Sequence, residues 1–419
     1  MPKALAPAPV RPPAVDQPAR PHRTPLNDRS KRALRWLQPL LGAAILALVA
    51  SKLPWADELS VVGPDGQALV IEGEIDGDWR GERVLFQASG ASAAGLDGPR
   101  ELMRTGDGGW QLDGAAAELR PSIQRVFRGV DRRGLAAAMG CFFAALLFGV
   151  TRWCRLLRLA GCSVRWLDCF RLTYLGLFFN LVVPGLTGGD VIKALLAAKE
   201  NPGKRADALV SVVVDRVLGL GTLAGLATVV ILFLGAPFDE LRLPVALVLA
   251  AMVGGALMYI NARLRTLVRF DALLERLPLS TKLKEVDAAI LTYTRHPGEM
   301  VVALGLSLGN HFGAIAGVMA LSLAFGVGSE AIGWWDYVAI VPVANMISSL
   351  PIAPGGWGVG EAAYGFLYEL LGQSAALGVA VSVSFRLCQV LLGLAGGLYL
   401  LRPGASAEVH QAEAEAEGL

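Results

Sequence analysis

The sequence predicts an all-α polytopic membrane protein with about six full spans, two re-entrant helical hairpins forming an inverted repeat, and a small β-rich extracytoplasmic insertion. Three observations predict this class. Several apolar runs exceed the roughly 18 residues needed to cross a bilayer, in a chain of 419 residues that is 54% hydrophobic and 18% charged. A motif occurs twice, as Asn180-Leu-Val-Val-Pro184-Gly-Leu-Thr-Gly188-Gly-Asp190 and as Leu350-Pro-Ile-Ala-Pro354-Gly-Gly-Trp-Gly358-Val-Gly-Glu361. Arg216 then follows Pro184, and Arg386 follows Pro354, by the same 32 residues. Matched helix breaks, carboxylates and arginines in apolar surroundings make an internal repeat.

The elements follow in order. Residues 1–33 are rich in Pro, Ala and Arg without apolar periodicity, which predicts a disordered basic tail. Residues 34–53 form the first span. It reads as a retained anchor, because the region before it is too long for a signal peptide and Leu48-Val49-Ala50 is a poor cleavage site. Arg23, Arg29, Lys31, Arg32 and Arg35 place its start in the cytoplasm. Residues 54–134 change to the composition of a soluble module with mostly acidic charge. Alternation at Leu69–Ile75 and Arg83–Gln87, with turn signals at Pro64-Asp-Gly and Asp76-Gly, predicts short antiparallel strands. A solvated insertion with no site of its own is the favoured reading.

Residues 135–402 form the membrane core, and residues 403–419 an acidic cytoplasmic tail. A span over 135–151 leads into a loop bearing Arg152, Arg155, Arg158, Arg165 and Arg171, cytoplasmic by the positive-inside bias. Arg125, Arg128, Arg132 and Arg133, on the other side of that span, run against the bias. The first hairpin, 172–200, breaks at Pro184-Gly185 and returns, which keeps Lys193, Lys199, Lys204 and Arg205 on the cytoplasmic side. Non-helical backbone at that depth needs protein or a water-filled cavity around it. Residues 208–234 and 244–260 cross out and back, and 261–297 make an amphipathic connection at the cytoplasmic surface. A span over 300–327 carries Asn310 and His311 mid-way. The second hairpin enters from outside over 337–352, breaks at Pro354 and returns through Glu361; 375–401 make the last crossing. The hairpins thus enter from opposite faces, the pattern in which a substrate site lies near the midplane between broken helices.

An arginine deep in a span costs about 2.5–3.5 kcal/mol on insertion scales, so it marks a partner or a polar pathway. Arg216 and Arg386 are candidate phosphate contacts, since a guanidinium fork matches phosphate geometry. The structural alternative is that they only neutralise Asp190 and Glu361. Proline breaks the helix, glycine lets backbone approach closely, and freed amides at a half-helix start can hold an anionic head group. The five cysteines have neither metal nor redox spacing. No nucleotide-binding loop supports ATP drive, and no cofactor or nucleic-acid partner is expected.

The stretches Phe179–Lys193, Val214-Asp-Arg216 and Leu350–Glu361 resemble the membrane region of the lysylphosphatidylglycerol synthase and flippase-like family. That family's first motif reads Pro, Gly-Glu, then Arg three residues later, where this chain has Asp190 and Lys193. Some members carry an acidic residue three positions after the arginine, where this chain has Gly219. The resemblance implies a lipid transporter of the inner membrane. The soluble aminoacyltransferase domain of the full synthases is not expected here, so neither is lipid aminoacylation or other enzymatic activity.

The candidate substrate-binding residues are Arg216, Arg386, Asp190, Glu361, Lys193, Asn180, Pro184, Gly188, Pro354, Gly355 and Gly358. The expected function is translocation of an anionic or modified phospholipid, or a lipid-linked head group, by a protein with both termini in the cytoplasm. The alternatives are an ion-coupled transporter of a small anion, or a non-transporting subunit of an envelope glycolipid system. A second copy or an envelope enzyme is a candidate partner.

Overall fold

The computed structural model describes residues 47–48, 51, 54–62, 68–79, 81–89, 98–105, 110–182, 188–234, 238–267, 280–350 and 356–401. Among them, five helices are long and apolar enough to cross a membrane: Arg132–Leu159, Pro202–Leu234, Arg242–Ile260, Pro297–Ala324 and Ala375–Gly397. The chain is a multi-pass, mostly helical membrane protein. These five fall on five of the expected spans. The other, 34–53, lies almost wholly outside the described residues, as do both tails.

Six strands precede the bundle: β1 (Asp57–Val62), β2 (Ala68–Asp76), β3 (Arg83–Ala88), β4 (Arg100–Arg104), β5 (Trp110–Leu112) and β6 (Ala115–Arg120). They form an antiparallel meander closed by pairing of β1 with β6. Both alternating stretches lie in strands, β2 and β3, and send Ile71, Ile75, Val84 and Phe86 into a filled apolar interior. Closure leaves no strand edge open to another chain. At the foot of the barrel buried Asp57 accepts from Ser122 N (2.7 Å), Ile75 N (2.9 Å) and Arg125 Nε (2.8 Å). Arg125, one of the arginines that run against the positive-inside bias, therefore neutralises a barrel carboxylate.

In chain order the helices are α1 (Ile123–Arg128), α2 (Arg132–Leu159), α3 (Trp166–Val182), α4 (Gly188–Glu200), α5 (Arg205–Leu234), α6 (Asp239–Ile260), α7 (Ala262–Leu267), α8 (Ser280–Thr294), α9 (Pro297–Ala324), α10 (Trp334–Ser348), α11 (Val359–Leu370) and α12 (Ala375–Gly397). Helices α2 and α9 form an antiparallel seam. A Cβ at Gly309 would lie 2.9 Å from Phe148, one at Gly313 3.0 Å from Ala145, and one at Gly317 inside the Phe142 ring. Such close approach matters in lipid, where tails are as apolar as leucine and association rests on packing and interhelical hydrogen bonds. Asn310 Nδ2 donates to Ala145 O (2.6 Å), and His311 Nε2 bonds Gly219 O on α5 (2.9 Å). The two mid-span polar residues tie α9 to its neighbours.

The structure corrects the loop expected after residue 151. Arg152, Arg155 and Arg158 lie on α2, Arg171 lies on α3, and only 160–165 connect the two helices. At 1.5 Å per residue, the 28 residues of α2 run about 42 Å, well beyond a hydrocarbon core of about 30 Å. Charged residues therefore ride on the helix itself. Arg155 pairs with Glu299 of α9 at 2.9 Å, Arg171 with Glu200 of α4, and Arg152 turns inward. In the polar connection, α8 is tied to α6 and α7 by Asp287, which accepts from Arg265 (2.7 and 2.8 Å) and from Tyr259 Oη (2.5 Å).

Each broken segment is a pair of packed helices. In the first, Gly189 of α4 lies against Gly176 and Asn180 of α3; in the second, Gly356 and Gly360 lie against Ser348, and Tyr364 of α11 donates to Asn345 of α10 (3.3 Å). The breaks, 183–187 and 351–355, lie outside the described residues. Helix α3 starts beside the C-terminal end of α2, where Trp166 Nε1 donates to Thr151 Oγ1 (3.0 Å), and α4 returns to that end, where Ser163 N donates to Asn201 Oδ1 (3.0 Å). Helix α10 starts at the other end, after Ala324, whose carbonyl accepts from Asp131 N (2.9 Å) at the start of α2. The two helix pairs enter the bundle from opposite ends.

Candidate functional site at the hairpin tips

Asp190 and Glu361 hold matching places, each the third residue of the returning helix. A carboxylate there is favoured by the positive end of the helix dipole. Each meets an arginine eleven residues into the following helix, counted from Arg205 to Arg216 and from Ala375 to Arg386, or about 16 Å along the axis. Asp190 and Arg216 are 2.5 Å apart, and so are Glu361 and Arg386. Each pair closes between one hairpin and the span that follows it.

The pairs differ in enclosure. The Arg216 side chain is 58% exposed and that of Arg386 10%. Arg216 shares a helical face with Leu209, Val213, Val217 and Leu220, all exposed and apolar, at the spacing of one stripe. The sequence reading treats both arginines as buried, with Arg216 the shallower of the two. Burial is corrected for Arg216, because α5 presents this stripe outward while its opposite face packs on the bundle.

Behind Arg216 the polar network continues inward. Asp215 is buried and accepts from Arg152 Nε (2.7 Å), and Arg152 Nη1 donates to Ser307 Oγ on α9 (2.8 Å). Lys193, one turn after Asp190, is buried with its Nζ 3.7 Å from the centre of the Trp153 ring, a cation–π contact. Trp153 Nε1 donates to Ser211 Oγ (3.1 Å). Asn180 Oδ1 accepts from Gly189 N (2.9 Å) and so fastens the tip, where a Cβ at Gly189 would strike the Gly176 carbonyl. Gly188 is the first residue of α4.

The second tip is sealed. Glu361, 1% exposed, accepts from Arg386 Nε (2.5 Å), Gly358 N (2.5 Å) and Ser382 Oγ (3.3 Å). Arg386 Nη2 donates to Gly356 O (2.6 Å), and its guanidinium stacks 5.0 Å from the Trp357 ring centre. Gly358 caps α11 at a φ of 82°, a left-handed conformation that glycine adopts without penalty. Pro184, Pro354 and Gly355 lie outside the described residues. The structure thus joins Asp190 to Arg216 and Glu361 to Arg386, gives Asn180 and Gly358 local roles at the tips, and sets Lys193 behind the first tip.

A model of the lysylphosphatidylglycerol synthase TM region matches residues 121–397, from the foot of the barrel to the end of α12. The chain belongs to this family. The lysylphosphatidylglycerol synthase TM region is a membrane domain associated with lipid-related function. No curated protein matches the chain. The structure bears on Gly219, where the resemblance leads to an acidic residue in some members: a Cβ there would lie 3.3 Å from the Arg152 guanidinium. An acidic residue there would face Arg152, a charge that Asp215 already balances in this chain. The reading from sequence missed Arg152, Trp153, Ser307, Trp357 and Ser382. The available signal was Asp215, an acidic residue beside Arg216 that needed a partner on another helix.

Proposed function

We propose that this protein moves the head group of an anionic or modified phospholipid, or of a lipid-linked substrate, across the inner membrane while the tails stay in the bilayer. The observation that carries the reading is Arg216, a guanidinium about 16 Å along its helix that is 58% exposed within an apolar stripe. Charge at that depth is retained for a pathway or a partner. Asp190 balances it at rest, and a lipid phosphate arriving from the bilayer competes for the same fork. Lys193, Asp215 and Arg152 supply further polar lining on the inner side. The hairpins act as the two broken elements of an inverted repeat, with the termini in the cytoplasm and the barrel outside.

The test uses purified protein in liposomes containing a head-labelled anionic phospholipid and an external quencher. The protein is expected to raise the access of the label to the quencher, and Arg216→Gln to remove that increase. A label that stays in place while a small anion accumulates under an ion gradient would overturn the reading in favour of a secondary transporter. Movement of neither would favour a membrane subunit without transport.

A further inference from the structure

Of the arginines that run against the positive-inside bias, Arg125 is taken up by Asp57. Arg128, Arg132 and Arg133 are exposed, and their guanidiniums have no hydrogen-bond or ion-pair partner among the described residues. Arg132 and Arg133 also lie in the first turn of α2, which holds no acidic residue. The helix dipole disfavours cations there. Both placements leave positive charge to be balanced from outside the chain.

The backbone that carries these arginines is anchored. Val126 of α1 is fully buried, and Phe127 meets the Phe325 ring edge-on at 5.5 Å. Asp131 N donates to Ala324 O (2.9 Å), and a Cβ at Gly134 would lie 2.7 Å from that of Ala324. The Asp131 carboxylate accepts from Arg133 N (3.1 Å) and Gly134 N (3.2 Å), so these helix amides are taken and an arriving anion meets guanidiniums. Other carboxylates at this end are engaged or apart: Asp336 accepts from Gly333 N, Glu118 pairs with Arg120, and exposed Glu330 and Glu369 pair with none of the three arginines. Trp55 and Trp335 are exposed at the same end, Trp55 following Pro54, whose carbonyl accepts from Ile123 N (3.0 Å). Tryptophans so placed mark the level of lipid head groups.

Below the arginines lies a bed for an acyl chain. Arg132, Ala136, Gly140 and Phe143 are all exposed, and steps of four, four and three residues put them on one helical face. A Cβ at Gly140 would meet nothing within 4 Å. The stripe is therefore a guanidinium followed by a shallow apolar furrow. We propose that Arg128, Arg132 and Arg133 hold the phosphate of an anionic phospholipid in the barrel-side leaflet, with one tail along Ala136, Gly140 and Phe143. The arginine fork suits phosphate, and basic residues at a membrane surface attract anionic lipid. Arg132 is about 30 Å along α2 from Arg152, so this site is separate from the polar network behind Arg216. It retains lipid beside the bundle and does not depend on translocation.

The full-length chain without native cysteines, carrying a fluorophore on Ala136→Cys, is placed in phosphatidylcholine nanodiscs. Spin-labelled phosphatidylglycerol and spin-labelled phosphatidylcholine are compared as quenchers at equal mole fraction. Phosphatidylglycerol is expected to bind beside the fluorophore roughly tenfold more strongly. Changing Arg128, Arg132 and Arg133 together to glutamine should bring the two lipids to parity, and the Arg132→Gln, Arg133→Gln double variant serves if the triple one does not fold. Equal quenching in the unaltered arginine background, or a preference that survives in these variants, would overturn the proposal. Loss of the preference to inorganic phosphate, but not to chloride at the same ionic strength, would assign the patch to a soluble anion instead. Dimerisation that the same variants abolish, with no lipid preference, would assign it to the acidic barrel of a second copy. Arg216 is unaltered and no lipid movement is read, so failure here and failure of the translocation reading are separate results.

Discussion

Replacing Arg386 by glutamine strands Glu361. The carboxylate is 1% exposed and, among the described residues, would keep Gly358 N and Ser382 Oγ as donors. Arg386 also leaves the Gly356 carbonyl and the Trp357 ring without its guanidinium. Removing one member of a buried ion pair destabilises by about 3–5 kcal/mol. At roughly 2 °C per kcal/mol for a large chain, the melting temperature should fall by ~6–10 °C. Glu361→Gln in the same chain removes the stranded charge and should restore at least half of the loss. Arg216→Gln should lower the melting temperature less, because its pair with Asp190 is not enclosed. Fluorescence-detected size exclusion of heated, detergent-solubilised protein reads the wild type, these three variants and Glu361→Gln alone. A double variant that loses the sum of the two single losses would refute the reasoning, since it would show that the two side chains do not interact.

Gly317→Leu should prevent the α2/α9 seam from closing and give little monodisperse protein, because even a Cβ there enters the Phe142 ring, whereas Gly305→Ala, with nothing within 4 Å, should behave as wild type. In the connection between spans, the hydrogen bond from Arg265 holds the Asp287 carboxyl below the usual carboxylate range. A depressed folded-state pKa contributes stability that is present above the unfolded value of about 3.9 and lost as pH falls through the folded value. Asp287→Asn should therefore flatten the acid limb of a melting-temperature profile below about pH 4; an unchanged limb would exclude that pair as its source. Single cysteines at Lys204 and Glu330, in a chain without native cysteines, should be labelled by an impermeant reagent from opposite sides. Labelling from one side alone would contradict the proposed topology.

The sequence by itself determined the membrane class and five span positions, because long apolar runs have few alternatives in water or lipid. It also offered the carboxylate partner of each motif arginine, as the structural alternative to a phosphate contact. Asp190 and Arg216, like Glu361 and Arg386, are separated by one returning helix and part of a span, so local geometry brings them together. Alternation likewise marked two barrel strands, since period-two patterning fits a half-buried strand. Tertiary structure alone decided which arginine is open and which is sealed. Exposure depends on what packs against each face, and the repeated motifs read alike while their neighbours differ: apolar stripe residues flank Arg216, and Trp357, Gly356 and Ser382 enclose Arg386. It also decided the place of Arg152, which reads as a loop residue at the end of an apolar run. Its partners Asp215 and Ser307 are 63 and 155 residues away, and contacts at that separation follow from the packing of α2 against α5 and α9, which no local pattern encodes.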